Sequence, residues 1–168
     1  MLFSRTGGVP QVAAAEDAPR NGRVVAVIDG DTLQVDLAGR GLANVRLAWV
    51  DAPDRAQDYG EASRSSLAAL TFGQEVRLEN VGEGAGGQIV ATVWVAPPPG
   101  CRGGDCAKTL DLGAAQLLRG MAWHDRRSLG QPAASLGQYE HAEFEARVRR
   151  VGLWSAKNPI PPWSWRSR

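Results

Sequence analysis

The stretch RVVAVIDGDTLQVDLAGRGLANVRLAWVDAPD, residues 23–54, decides the fold. Its first run is mainly β-branched and apolar, and the triplet Asp29-Gly30-Asp31 breaks it. Beyond the break, apolar residues alternate with other residues on both sides of the turn AGRG; they are Leu33, Val35 and Leu37, then Val45, Leu47 and Trp49. A period of two is typical of strands that bury one face. The stretch therefore predicts a meander of three strands.

Two more strands are predicted on either side of the glycine turn GEGAGG, at residues 75–81 and 88–95. Helical patterns occur in three segments, residues 59–73, 109–120 and 136–152. Five short strands in this rhythm favour a small closed barrel over a sandwich. The predicted fold class is mainly β with α (α+β), with about three helices packed against the barrel.

The helical segments carry signals for their faces and ends. In the first segment, Ala62, Leu67 and Leu70 are predicted to share one side, and Gly73 ends the helix. In the second segment, Thr109 is the candidate N-cap. These signals predict helices that cover the barrel with one apolar side each.

Length and composition predict one globular domain. The chain has 168 residues, 43% hydrophobic and 22% charged, which suits a core of ordinary size. We assign residues 1–22 to a flexible N-terminal tail and residues 23–168 to the domain. The net charge is only +1, but residues 51–118 are acidic and residues 119–168 are basic. This asymmetry fits a cation site beside a surface that tolerates polyanions, and it equally fits faces that are solvated differently.

Membrane and export signals are weak in this sequence. No stretch approaches the roughly 18 apolar residues that a membrane span needs. The segment AAAED resembles a signal-cleavage site, but no apolar segment of a signal peptide precedes it. We expect a secreted, periplasmic or membrane-associated location on a bacterial-type cell, without a convincing signal peptide in this chain.

The two cysteines lie in the loop PPPGCRGGDCAK, at Cys101 and Cys106. Structural zinc sites usually have four ligands, and nothing in the sequence supplies the other two. The pair is compatible with a disulfide across a short loop, which would favour an oxidising compartment. Two reduced thiols are the alternative, and both stay open at this level.

Six motifs occur in one order: VIDGDTLQV, VRLAWVDAPD, QDYGEAS, GMAW, YEHAEFEARVRRVGLW and PIPPWSWR. Together they resemble the staphylococcal nuclease-like, or thermonuclease-like, family from about Val24 to Trp165. The resemblance implies a five-stranded OB-type barrel capped by three helices, which agrees with the order of elements above. It also implies a calcium-dependent nuclease that acts on DNA and RNA with little sequence preference.

The resemblance places a metal site where the first strand breaks. Asp31 and Asp51 match the family's two metal-ligand aspartates, and the carbonyl of Ala52 matches its backbone ligand. Carboxylate and carbonyl oxygens are the ligands that Ca²⁺ prefers, so Ca²⁺ is the implied cofactor. Asp29 is predicted to be a turn residue that accepts backbone N–H bonds.

Three positions match the family's catalytic groups, and two of them depart from its pattern. Arg46 matches the first catalytic arginine, whose charge stabilises the transition state. Asp54 stands where the family has glutamate, so its carboxylate is one methylene shorter. Gln88 stands where the family has its second arginine, and it is neutral. Arg102 is the only nearby candidate for a substitute, because no Lys or Arg lies between Arg77 and Arg102.

The segment after GMAW reads HDRRS, whereas many relatives carry tyrosines there that line the nucleotide pocket. Arg126 and Arg127 are candidates for phosphate binding, and a solvated turn is the alternative. No catalytic role is assigned to His124. The C-terminal tryptophans are predicted to pack this end of the chain onto the barrel instead of stacking on bases; they are Trp154, Trp163 and Trp165.

Two functions are compatible with these residues. The first is a nuclease of reduced efficiency, as the resemblance implies. The second is a catalytically impaired domain that binds nucleic acid or serves as an accessory or scaffold subunit of a larger assembly, which Asp54 and Gln88 favour. A generic oligosaccharide- or protein-binding barrel would make the order of the six motifs a coincidence.

Overall fold

The computed structural model describes residues 20–168. Its strands are β1 (Arg20–Val27), β2 (Thr32–Leu37), β3 (Gly41–Leu47), β4 (Val50–Asp51), β5 (Glu75–Glu83), β6 (Ile89–Val95), β7 (Leu110–Asp111) and β8 (Trp123–His124). Its helices are α1 (Gly60–Thr71), α2 (Leu112–Leu118), α3 (Ala133–Arg149) and α4 (Pro162–Trp165). Short 3₁₀ helices occupy Ala85–Gly87 and Gly152–Ser155.

Five of the strands close a barrel. β1 pairs with β2 and β5, β2 with β3, and β5 with β6, all in antiparallel orientation. β3 and β6 pair in parallel, with Arg46 opposite Val90, and this pairing closes the barrel. β7 adds to β6, and β4 and β8 form a separate pair. The predicted α+β fold with a five-stranded OB-type barrel is confirmed.

The alternating residues of the meander form the core, as their period predicts. Leu33, Val35 and Val45 are completely buried inside the barrel. α1 packs on β1 and α2 packs on β6, while α3 covers α2. Burying each large aliphatic side chain contributes about 1.5–3 kcal/mol. The barrel therefore gives the functional residues at its rim a rigid support.

Two helix details differ from the sequence-based expectation. Ala62 is exposed, and its neighbour Ser63 is buried instead, because the Ser63 hydroxyl donates a hydrogen bond to a backbone carbonyl. The N-cap of α2 is Asp111 and not Thr109. The carboxylate of Asp111 accepts two N–H groups of the first helical turn and the hydroxyl of Tyr139 at 2.9 Å. A buried carboxylate with three donors is a stronger cap than a threonine hydroxyl.

The strand ends also differ slightly from the predicted ones. β1 begins at Arg20, earlier than the expected domain boundary at residue 23. The rest of the predicted tail, residues 1–19, lies outside the described residues. β3 ends at Leu47, and Trp49 has a φ of 58°, so it turns the chain into β4 and does not continue the strand.

Cys101 and Cys106 form a disulfide, with their Cα atoms 5.7 Å apart. The disulfide closes a short loop between β6 and β7. No helix within residues 20–168 is long and apolar enough to cross a membrane.

The C-terminal tryptophans pack against one another around a small second core. Trp154 is 7% exposed and meets Trp123 edge to face, with ring centroids 4.5 Å apart. Trp163 also meets Trp123 edge to face, at 5.6 Å, and is only half-buried, like Trp165. Their packing brings α4 to the loop that follows β4.

Candidate active site

The triplet Asp29-Gly30-Asp31 forms a tight turn between β1 and β2. The N–H groups of Ile28 and Asp29 donate to the carbonyl of Thr32, at 2.9 and 3.4 Å. Asp29 Oδ1 accepts the N–H of Asp31 at 3.0 Å, which is the role predicted for a turn aspartate. Asp31 is left only 4% exposed.

Two helices hold this turn from behind. A Cβ atom at Gly30 would overlap the hydroxyl of Ser63 in α1 and lie 2.9 Å from the Cβ of Ala52. Gln116 of α2, completely buried, donates to the carbonyl of Gly30 at 2.7 Å and to that of Ser63 at 3.0 Å. Only glycine allows this close approach, so the helices determine where the turn lies.

Asp31, Asp51 and Arg46 converge at the rim of the barrel. The carboxylate of Asp31 accepts the hydroxyl of Thr32 and the N–H of Ala52, both at 2.8 Å. The side chain of Asp51 is fully buried in β4. Arg46 Nη2 lies 3.3 Å from Asp51 Oδ1 and 3.8 Å from Asp31 Oδ2. One guanidinium nitrogen therefore lies between the two predicted metal ligands.

A further guanidinium enters from the C-terminal end of the chain. Arg166, directly after α4, donates to Asp54 from Nε at 2.9 Å and from Nη2 at 2.6 Å. It also donates to both oxygens of Asp51, at 3.0 and 2.9 Å. The hydrogen bonds to Asp54 raise the pKa of Arg166 further above its ordinary value, so it stays charged. Asp54 thus lies beside Asp51, joined to it by one guanidinium.

Arg127 belongs to the site, whereas Arg126 does not. Arg127 Nη2 lies 3.3 Å from Asp51 Oδ2, and its Nε donates to Asp125 at 2.8 Å. Burial acts to raise the pKa of Asp125, but the hydrogen bonds from Arg127 outweigh it and lower that pKa. Arg126 instead pairs with Glu143 of α3 at 3.3 Å.

Gln88 and Arg102 lie apart from these carboxylates. Gln88 precedes β6, in which Val90 pairs with Arg46. Because side chains alternate along extended chain, Gln88 shares the outer face with Arg46 but lies two residues away along it. Within residues 20–168 its amide makes no hydrogen bond to the carboxylates of the site, and it lines a depression beside Asn44. Arg102 is exposed in the disulfide loop and forms no ion pair in the described part of the chain.

His124 of β8 is buried beside α3. It is 2% exposed, and its Nε2 lies 2.8 Å from the side-chain oxygen of Gln131. Its backbone N–H donates to Glu143 at 2.7 Å. These contacts tie β8 to α3.

In the absence of a cation, the surroundings of Asp31 raise its pKa, so its carboxylate keeps a proton up to about neutral pH. Burial is the main reason that the pKa of Asp31 rises from 3.8 to about 7, and the negative charge of Asp29 adds to the rise. The charge of Arg46 and the N–H of Ala52 oppose it in part. A cation beside Asp31 would favour its charged form.

Comparison with known families identifies the family of this chain. The sequence model of the family described as Staphylococcal nuclease homologue matches residues 44–156. The chain belongs to the staphylococcal nuclease family. The matched residues include Arg46, Asp51, Asp54 and Gln88, whereas Asp31 and Arg166 lie outside them.

Two of the three similar proteins described next have names that state a nuclease activity. Over 146 residues the chain is 40% identical to Micrococcal nuclease of Shigella flexneri, which covers 86% of this chain and 79% of that protein. It is 36% identical over 160 residues to Protein ParB of Escherichia coli, covering 92% and 84% respectively. It is 32% identical over 148 residues to an Uncharacterized endonuclease of Escherichia coli, covering 88% and 86%. The family match and the two nuclease names support a nuclease-like function in general.

The oxygen atoms at this candidate site are of the kind that a hard cation binds. Asp31 and Asp51 approach the same nitrogen of Arg46, so their carboxylates lie close together. Oxygen donors of this type are those that Ca²⁺ binds. Residues 20–168 contain no group of three or more His, Cys, Asp and Glu side chains arranged to hold a metal. A cation here would therefore also need the carbonyl of Ala52 and water as ligands.

Sequence reasoning missed Arg166 and the residue that supports Asp54. Gln57 accepts the N–H of Asp54 at 3.3 Å and donates to the carbonyl of Ile160 at 2.7 Å. Arg166 ends the motif PIPPWSWR, from which the sequence predicts family resemblance and packing but no site role for this arginine. The polar end of that motif was the one signal that could have indicated a further role.

Proposed function

We propose that this chain is a nuclease that hydrolyses phosphodiester bonds of DNA and RNA with little sequence preference and uses Ca²⁺. The observation that carries the proposal is the convergence of Asp31, Asp51 and Arg46 at the rim of the barrel. The names of the relatives, Micrococcal nuclease and endonucleases, support the same activity.

Asp31, Asp51 and the carbonyl of Ala52 are the proposed cation ligands. A bound divalent cation would neutralise charge on the phosphate and favour attack by water. The side chains of Asp31 and Asp51 are 6% and 0% exposed, so little water competes with a ligand there. Their burial makes the electrostatic effect of each group larger than at an open surface.

Arg46 and Asp54 are the proposed catalytic residues. Arg46 is 31% exposed and can donate to a non-bridging oxygen, on which negative charge increases as water attacks phosphorus. Asp54, also 31% exposed, can orient the water or accept its proton. The new bond forms between the water oxygen and phosphorus, the bond from phosphorus to the leaving sugar oxygen breaks, and that oxygen takes up a proton from solvent.

Reduced efficiency is part of the proposal. The carboxylate of Asp54 is one methylene shorter than the family's glutamate, and a misplacement of about 1 Å can cost about 10²-fold in rate. Gln88 lacks the charge of the family's second arginine, and losing one transition-state donor costs roughly 10²–10³-fold.

The experiment is a hydrolysis assay on purified protein with denatured DNA and with RNA, in Ca²⁺ and in a chelator. We expect acid-soluble nucleotides to be released in Ca²⁺ and not in the chelator. The Asp31→Asn variant should release none. Asp58→Asn is the matched control, because Asp58 is an exposed carboxylate in the loop after β4. Hydrolysis that persists in the chelator, or that survives Asp31→Asn, would contradict the assignment of the cation site.

A catalytically impaired domain that binds nucleic acid or a protein assembly is the second candidate. The neutral Gln88 and the arginines that engage both oxygens of Asp51 favour it. The basic C-terminal third predicts weak, salt-sensitive binding of polyanions that survives loss of Asp31. Fast, Ca²⁺-dependent hydrolysis by the wild-type protein would eliminate this candidate.

A secreted, periplasmic or membrane-associated location is also proposed. The disulfide between Cys101 and Cys106 supports it, because disulfides persist mainly in oxidising compartments. Thiol labelling of protein taken from a bacterial host, without added oxidant, tests it. Both cysteines should resist labelling after export, and full labelling of exported protein would contradict the proposal.

A further inference from the structure

Arg166 makes the most extensive set of charged hydrogen bonds at the site. Its Nη1 and Nη2 contact the two oxygens of Asp51 at 3.0 and 2.9 Å, and its Nε contacts Asp54 at 2.9 Å. Bidentate pairs of this kind fix the guanidinium plane as well as its position. The side chain is nevertheless 42% exposed. Arg166 is therefore fixed in position by the carboxylates, and part of its side chain remains accessible to solvent.

Arg46 and Arg166 approach the same atom from two elements. Arg46 Nη2 lies 3.3 Å and Arg166 Nη2 lies 2.9 Å from Asp51 Oδ1. Two guanidinium groups that share one carboxylate oxygen are close enough to bind two oxygens of one phosphate group. Among the residues described, Arg127 is the third guanidinium near Asp51, but its Nε is held by Asp125.

Two contacts hold the segment that carries Arg166 against the site. Gln57, 9% exposed, links the N–H of Asp54 to the carbonyl of Ile160 just before α4. The guanidinium carbon of Arg127 lies over the ring of Trp163 in α4, 4.3 Å from the ring centroid. These contacts position the segment that carries Arg166 beside the loop that carries Asp54.

We propose that Arg166 is the second phosphate-binding guanidinium of this site and replaces the charge that Gln88 lacks. The inference rests on the proposed nuclease function. Arg166 would release part of its contact with Asp51 and Asp54 and donate to a non-bridging oxygen of the substrate, opposite Arg46. The family match ends at residue 156, so it does not include this arginine.

The first test compares kcat and KM of Arg166→Gln, Arg166→Lys and the wild type on denatured DNA in Ca²⁺. We expect Arg166→Gln to lower kcat roughly 10²–10³-fold, as for loss of a transition-state donor, with a smaller change in KM. The kcat of Arg166→Lys should lie between those of Arg166→Gln and the wild type, because lysine keeps the charge and lacks the planar guanidinium. Arg168→Gln is the matched control: it removes the same charge from the same segment, and Arg168 forms no ion pair within residues 20–168.

The second test is rescue by the double variant Arg166→Gln/Gln88→Arg. Val90 pairs with Arg46 and Gln88 lies two residues before Val90, so an arginine at position 88 would extend from the same face of the barrel as Arg46. We expect it to restore kcat by roughly tenfold or more over Arg166→Gln. A purely structural role of Arg166 would not be rescued by a charge on the barrel. Absence of rescue, with both variants folded by circular dichroism, would overturn the inference.

Two other results would also overturn it. Faster hydrolysis by Arg166→Gln would show that Arg166 blocks the site, and an unchanged rate would show that it is not used.

A DNA-binding assay distinguishes failure of this inference from failure of the proposed function. If the wild type hydrolyses nothing, the nuclease proposal fails, but fluorescence anisotropy with decathymidylate in a chelator still tests Arg166. Arg166→Gln should then weaken binding by roughly tenfold and Arg168→Gln much less; equal effects would contradict phosphate binding by Arg166.

Discussion

The guanidinium of Arg46 lies 3.3 Å from the carboxylate of Asp51, and the same nitrogen lies 3.8 Å from Asp31. Arg46→Gln keeps a hydrogen-bond donor but removes the charge. We expect kcat on denatured DNA to fall roughly 10²–10³-fold, because the charge that develops on the phosphate loses a partner. Steady-state kinetics in Ca²⁺ measure this, with Arg126→Gln as the control, since Arg126 pairs with Glu143 instead. A loss of less than about tenfold would contradict a catalytic role.

Asp31 should make the stability of the protein without cations depend on pH. Its pKa is raised from 3.8 to about 7, mainly by burial, so the folded state retains its proton where the unfolded state does not. The stabilisation from this proton is complete below about pH 4 and is lost as pH rises through about 7. Asp31→Asn cannot lose it, and we expect it to gain stability relative to the wild type as pH rises.

Urea unfolding in a chelator at several pH values between 4 and 8 measures this difference. The Asp58→Asn variant should follow the wild-type curve because Asp58 is exposed. A constant difference between Asp31→Asn and the wild type would show that Asp31 titrates normally.

The length of the side chain at position 54 should limit the rate. Asp54→Glu restores the family's longer carboxylate, and we expect kcat/KM to rise by roughly ten- to a hundredfold. Asp54→Asn keeps the length and removes the base, and it should lower kcat/KM by roughly 10²-fold or more. Assays on the same DNA substrate compare the three proteins. If all three have equal rates, Asp54 does not take part in the reaction.

Gly30 should tolerate no side chain. Its Cβ would overlap Ser63 Oγ, and the Gln116 amide and Ala52 confine it further. We expect Gly30→Ala to lower the free energy of unfolding by about 1–3 kcal/mol, as overpacked core sites do. Gly137→Ala is the matched control, because a Cβ at Gly137 of α3 meets no atom within 4 Å. Chemical denaturation measures the free energy of unfolding of both variants and of the wild type. If Gly30→Ala is as stable as the wild type, the close packing of the turn is contradicted.

The barrel could be predicted from the sequence because its signals are local. Alternation of period two at Leu33, Val35 and Leu37 determines which face is buried, since a slip of one residue would expose all of them. The helices were predicted in the right order, but Ala62 and Thr109 were given the wrong roles. Ser63 is buried because its hydroxyl finds a partner 58 residues away, and Asp111 caps α2 locally while it also accepts the hydroxyl of Tyr139 from α3. Periodicity does not encode either long-range contact.

The sequence indicates some residues of the proposed site but does not show which of its candidate arginines reach the carboxylates. Asp31, Asp51 and Arg46 lie in motifs near the start of the chain, and the structure brings them together. Arg126 and Arg127 are neighbours in sequence, yet only Arg127 contacts Asp51, because adjacent side chains of a turn point in different directions.

The sequence by itself determined the barrel, its buried faces and the acids at its rim, since each depends on the pattern of nearby residues. Only the tertiary structure decided what surrounds those acids. Arg166 reaches Asp54 across 112 residues of chain because the C-terminal tryptophans and Gln57 bring α4 to this loop. Such a contact is set by the packing of elements distant in the chain, and no local period or spacing records it.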